Sequence, residues 1–142
     1  FSSDIQKLNE NGLQNNKTSV LREMFELVNE AENILVDSSK NLDDFGYLLD
    51  HTWKLKRKTG KVVSTESIDT LYIRGLKAGA LGGKLLGAGG GGFLLFYVPL
   101  EYQENVKSAI KDLLYIPFEF ENSGTRVIYY SPEDYFPKDV MV

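Results

Sequence analysis

The segment Gly79–Val98, GALGGKLLGAGGGGFLLFYV, holds the residues of this chain best suited to chemistry. Six glycines fall between Gly82 and Gly91, Gly92 follows, and Lys84 is the one cation among them. A glycine in an ordered element costs about 0.5–1 kcal/mol relative to alanine, so the run Gly89–Gly92 needs a physical reason. Successive glycine N–H groups can form a concavity that binds an anion without a helix. Lys84 could add a cation near a phosphate, or it could be a solvated strand residue. A flexible hairpin connection is the alternative for the loop, but a hairpin needs only one or two such residues.

Two phosphate-binding templates fail on this segment. In the Walker pattern, Gly83-Lys84 supplies the GK, but Leu85 stands where a metal-binding hydroxyl belongs and Ala78 where the first glycine belongs. Gly87, Gly89 and Gly92 match the dinucleotide pattern G-x-G-x-x-G, as a glycine-rich run does by accident. That pattern must leave a strand and open a helix, so that the helix N-terminus meets the pyrophosphate. Here the glycines run into Phe93-Leu94-Leu95-Phe96-Tyr97-Val98, an apolar run of the kind found in strands buried on both faces. The reading that remains is a loop between strands Lys84–Leu86 and Phe93–Val98, whose backbone passes close to something bulky or takes positive φ repeatedly.

The elements around this loop follow from periodicity. From about Asn16, Leu21, Met24, Phe25, Val28, Ala31 and Leu35 form one apolar helical stripe. A second helix starts near Asn41, which can cap it with Asp44 in a box-like position. Its stripe is Leu42, Phe45, Leu49 and Trp53, the basic stretch Lys54–Lys58 suits its C-terminus, and Gly60 ends it. A third helix runs from Thr65 or Ser67 to Lys77, with Ile68, Leu71, Tyr72 and Leu76 inward and Gly79 as its C-cap. Pro99 opens a fourth, to Leu114, with Tyr102, Val106, Ile110 and Leu113 on one side. Phe118 and Phe120 alternate with Glu119 and Glu121, Asn122-Ser123-Gly124 is a turn, and Thr125–Tyr130 is a returning strand. Ser131–Val142 reads as irregular. Helices and strands are segregated, which predicts an α+β fold.

Composition narrows the function classes. The chain has 142 residues, 42 % apolar and 25 % charged, with net charge −4 and no cysteine. This is enough chain for one domain with a sizeable core. The balance does not favour nonspecific nucleic-acid or anionic-membrane binding. The lack of cysteine removes disulfides, zinc thiolate sites and thiol catalysis, and fits a reducing cytoplasm. No apolar run approaches the roughly 18 residues that span a bilayer, so neither nucleic acid nor membrane is expected as a partner. His51 is the single histidine and reads as a surface or packing residue, Trp53 as core, and Asp43 and Asp44 as first-turn acids that suit the helix dipole. Tyr129, Tyr130 and Tyr135 lack the basic interleaving of a base-stacking surface.

The core K-L-x-G-A-G-G-G-G of the glycine segment resembles the third signature motif of the GHMP kinases, the superfamily named for galactokinase, homoserine kinase, mevalonate kinase and phosphomevalonate kinase. Together with LDDFGYLLDHTWKLKRK (Leu42–Lys58) and GTRVIYY (Gly124–Tyr130), it is similar to the branch typified by heptose 7-phosphate kinases, from FSSDIQ onward. The resemblance implies a C-terminal GHMP kinase domain over residues 1–142, with a ferredoxin-like sheet of about four antiparallel strands packed against helices. It also implies that the N-terminal ATP-binding domain and the first strand of this sheet lie before Phe1, which leaves an open edge available to a neighbouring chain, as in a homodimer. The family's G-L-G-S-S loop and its acidic residue near the transferred phosphoryl group are not found here, so no catalytic residue and no metal ligand is expected in this chain. The implied reaction, in the intact enzyme, moves the γ-phosphoryl group of ATP, with Mg²⁺, to a sugar hydroxyl at C1 in nucleotide-sugar precursor synthesis. Lys84, Gly87, Ala88, Gly89, Gly90, Gly91 and Gly92 would face the nucleotide loop and the sugar phosphate. The alternatives are a fucokinase- or galactokinase-like domain and a non-catalytic ligand-binding or interaction module.

Overall fold

The computed structural model describes residues 17–60, 62–127 and 129. In chain order these form α1 (Lys17–Val36), α2 (Asp43–Lys58), α3 (Glu66–Lys77), the antiparallel strands β1 (Gly82–Leu86) and β2 (Phe93–Tyr97), a 3₁₀ turn (Leu100–Tyr102) and α4 (Gln103–Ala109). The fold is α+β, with a two-stranded sheet in the register Gly82↔Tyr97 to Leu86↔Phe93.

Local chemistry explains the element ends. Asn41 serves α2 from one residue before its cap, its Oδ1 accepting the Asp43 N–H at 3.0 Å. Thr65 caps α3, its hydroxyl accepting the Ile68 N–H at 3.3 Å. The same helix closes with Gly79 at φ +115°, where Gly79 N–H donates to Leu76 and Ala80 N–H to Gly75. This Schellman arrangement satisfies two carbonyls that the helix leaves free. At α4 the Arg74 guanidinium donates to the Ala109 carbonyl and to both oxygens of Asp112.

The core lies where α2 and α3 meet the sheet. Trp53 and Val63 are 1 % exposed, and Ile68, Tyr72 and Leu85 complete the cluster. Tyr72 stacks on Phe96 with ring centroids 5.6 Å apart and lies 6.1 Å from Trp53. Two glycines let α2 sit against β1. A Cβ on Gly82 would strike the Gly46 carbonyl oxygen, and one on Gly46 would lie 2.7 Å from the Tyr97 ring and 2.8 Å from Leu81 Cβ.

Several sequence expectations change. On α1 the inward residues are Ile34, with Met24, Leu27 and Ala31 half-buried, whereas Leu21, Phe25, Val28 and Leu35 are exposed. The helix has apolar residues over a wide arc, and α2 covers only one side of it. On α2 the buried positions are Gly46, Leu48, Trp53 and Leu55, and Leu42 is exposed. Helix α4 stops at Ala109 rather than Leu114, because only Val106 is buried along it and Arg74 caps its end. β1 starts two residues earlier than expected, and β2 is half-buried rather than enclosed on both faces.

The alternating residues Phe118 and Phe120 form no strand. They are 62 % and 91 % exposed and touch each other edge-on. Alternation fixes which face a strand would show, but pairing needs a free backbone edge within reach. Among the described residues the sheet has two strands rather than about four. The described residues of Thr125–Tyr130 are likewise not in a strand. Ile128, Tyr130, the tail Ser131–Val142 and the opening FSSDIQ lie outside the described residues.

Candidate functional site

The glycine loop, residues 87–92, joins β1 to β2 and is held from below by the connection between α2 and α3. Four of its glycines need the left-handed half of backbone space: Gly87 at φ +117°, Gly89 at +109°, Gly90 at +69° and Gly92 at +133°. Side chains rarely tolerate these values. Two positions are also sterically closed. A Cβ on Gly92 would meet the Leu86 carbonyl oxygen, and one on Gly89 would lie 3.0 Å from Val63 Cα and 3.1 Å from the Val62 oxygen. The Gly90 N–H donates to the Val63 carbonyl at 3.3 Å. The bulky neighbour expected of the loop is therefore, in part, the chain's own Val62–Val63.

Gly91 is different. Its φ is not left-handed, and a Cβ there would meet nothing within 4 Å. Neither backbone geometry nor packing among the described residues asks for glycine at this position, and it is exposed.

Ala88 and the glycines thus share one loop, but Lys84 does not. It sits in the middle of β1 opposite Leu95, half-buried, on the same side of the strand as Gly82 by alternation. Among the described residues no carboxylate pairs with it.

Beneath the sheet, Tyr72 OH donates to Asp50 Oδ1 at 2.9 Å and lies 3.4 Å from the Gly83 carbonyl oxygen, while Lys54 Nζ meets Asp50 Oδ2 at 2.5 Å. Burial, reinforced by the Asp50 carboxylate, pushes the Tyr72 phenol well above its ordinary pKa. Tyr72 therefore stays neutral and acts as a donor that ties α2, α3 and β1 together. The indole Nε1 of Trp53 is buried with no hydrogen-bond partner among the described residues. His51 is half-exposed and pairs with Glu23 of α1 at 2.9 Å. Asp43 stands in the first turn of α2 and accepts from Tyr97 OH at 3.2 Å. No group of three or more His, Cys, Asp or Glu side chains that could hold a metal ion occurs among the described residues. No helix among them is long and apolar enough to cross a membrane.

Val62 and Val63 were not marked by the sequence as part of the site. Their only signal is an apolar pair inside a polar helix connection, KVVSTES, which needs an anchor of its own.

Residues 31–116, which contain this glycine loop, its strand hairpin and the helices α2 and α3 beneath them, match the family described as GHMP kinases C terminal. The chain belongs to this family. It is 33 % identical over 88 residues to a D-glycero-α-D-manno-heptose 7-phosphate kinase of Campylobacter jejuni, covering 58 % of this chain and 26 % of that protein. Over 95 residues it is 36 % identical to mevalonate kinases of Thermococcus sibiricus and Pyrococcus horikoshii, covering 65 % of this chain and 28 % of each. The chain thus spans about a quarter of the length of the curated relatives it matches.

Proposed function

We propose that this chain is the C-terminal domain of an ATP-dependent, Mg²⁺-requiring kinase whose other domain holds the nucleotide, and that its glycine loop forms one wall of the cleft between them. Gly91 carries this reading. It is a glycine with no reason to be one among the described residues, in a loop whose other glycines are required by left-handed backbone or by close packing. Phosphoryl transfer depends on positioning and charge stabilisation more than on covalent chemistry. Backbone N–H groups of Gly87, Gly89, Gly91 and Gly92 could serve this role where a side chain would block approach. The Gly90 N–H is already committed to Val63. Lys84, half-buried in β1 with no carboxylate partner among the described residues, is the cation we assign to this wall.

The substrate we favour is a sugar phosphate of the heptose 7-phosphate type, phosphorylated at the C1 hydroxyl, in a cytoplasmic enzyme. The similarity to the Campylobacter kinase supports it. The matches to two mevalonate kinases support a second reading, in which the acceptor is the mevalonate hydroxyl. The test is ADP release by the full-length protein with ATP, Mg²⁺ and, in turn, heptose 7-phosphate, fucose, galactose and mevalonate. Turnover with heptose 7-phosphate alone is the expected result, and turnover with mevalonate alone would replace it by the second reading. Release with none would favour a non-catalytic binding module. The 142-residue chain alone is expected to give no turnover. A homodimer through an open edge of the sheet belongs to the same proposal and is tested by light scattering.

A further inference from the structure

We infer that Asp69 is a positioning residue for the glycine loop, acting through the α2–α3 connection; the inference rests on the proposal that this loop lines the kinase cleft. Asp69 lies in the first turn of α3 and uses both carboxylate oxygens. Oδ2 accepts from Arg57 Nη2 at 2.7 Å, near the end of α2. Oδ1 accepts from Ser64 Oγ at 2.6 Å, and Ser64 directly follows Val63. The carboxylate therefore clamps both ends of the connection that starts at Thr59 and ends at the Thr65 cap. Val63, 1 % exposed in the core, is fixed between these anchors. Its carbonyl receives the Gly90 N–H, and its Cα is the surface on which Gly89 rests.

This makes one path of contacts from an ion pair on the helices to the loop. Each step is a directional bond or a backbone contact too close for a side chain. The loop itself has little else to hold it, since glycines bring no side-chain packing and the largest backbone entropy to lose. A hydrogen bond at its base therefore has a large share in fixing its crest. A shift of the order of 1 Å in a positioned group can reduce turnover about 100-fold, so an effect on kinetics is expected although Asp69 need not touch substrate.

The test combines hydrogen exchange and kinetics on the full-length protein. Ser64→Ala removes only the link between the clamp and Val63 and leaves the Arg57 pair in place. Asp69→Ala removes both, and Asp69→Asn keeps an acceptor for Ser64. Ser67→Ala, an exposed position on the same helix turn, is the control. Amide exchange in the peptide covering residues 87–92 should speed up about 2- to 10-fold in Ser64→Ala, the range one hydrogen bond gives. Asp69→Ala should exceed it, Asp69→Asn should fall below Asp69→Ala, and Ser67→Ala should match the parent. Exchange across α1 should not change. Unaltered loop exchange in Ser64→Ala would overturn the inference. Faster loop exchange with unaltered kcat/KM would uphold it and overturn instead the placing of the loop in the cleft.

Discussion

Replacing Gly91 and Gly89 in parallel separates the two reasons a chain can have for glycine. At Gly91 an alanine Cβ enters open space and φ lies outside the left-handed region that side chains avoid. Gly→Ala at such a position stabilises by about 0.4–1 kcal/mol, by restricting the unfolded chain. At Gly89 the same change must hold alanine at φ +109° and push a Cβ to 3.0 Å from Val63 Cα, which is backbone and cannot rotate away. Left-handed strain of this kind costs about 1–3 kcal/mol, and the contact adds to it. Gly89→Ala should therefore lower Tm by several degrees, at roughly 4 °C per kcal/mol for a domain of this size, while Gly91→Ala leaves it unchanged or slightly raised. Activity should run the other way for its size. Gly91→Val in the full-length enzyme should reduce kcat/KM by about 100-fold with Tm intact. Thermal melts by circular dichroism and an ADP-release assay measure both quantities on the same samples. Normal kinetics in Gly91→Val would refute the cleft-wall reasoning and leave a hairpin whose crest faces solvent. A Gly91→Ala variant as unstable as Gly89→Ala would refute the geometric argument itself. Gly90 is a poorer probe, because at φ +69° and bonded to Val63 it would report strain as well as function.

Trp53→Ala should cost about 3–5 kcal/mol, as expected for a large side chain removed from a packed core, read as a shift in the urea midpoint. Trp53→Phe should cost much less, because it also removes a buried N–H that has no partner among the described residues. Tyr72 holds its proton more tightly when folded than its ordinary pKa of 10.0 allows. The stability this gives is fully present below pH 10 and is lost as pH rises, since the unfolded chain then releases a proton that the folded chain retains. Equilibrium unfolding followed above pH 10 should show this decline, and Tyr72→Phe should flatten it. Arg74→Ala should free the end of α4, seen as faster amide exchange over residues 106–113. The exposed pair with Asp112 contributes little to stability, because solvent screens it. Arg74 holds the Asp112 carboxyl below its ordinary pKa, so that contribution fades as pH falls through the carboxylate range.

Periodicity and cap chemistry placed α1, α2 and α3 to within a few residues, because 3.6-residue spacing, Thr65 and Gly79 are local signals, whereas α2 ends on Thr59 and Gly60 takes no left-handed cap. The glycine motif fixed the hairpin loop in the same way, and the rejection of a nucleotide-binding helix followed from Phe93–Val98 coming directly after it. Sequence alone could not say which arc of α1 is covered, since Leu21, Phe25, Val28 and Leu35 are as apolar as the residues that face α2. It could not say whether Phe118 and Phe120 find an edge to pair with, or that Arg74 would stop α4 early, because both depend on partners distant in the chain. The division within the glycine run was equally hidden. Gly89, Gly90, Gly91 and Gly92 are identical as letters, and only the tertiary position of Val63 and the Leu86 carbonyl separates the glycines that backbone and packing require from Gly91, where a Cβ would meet nothing within 4 Å.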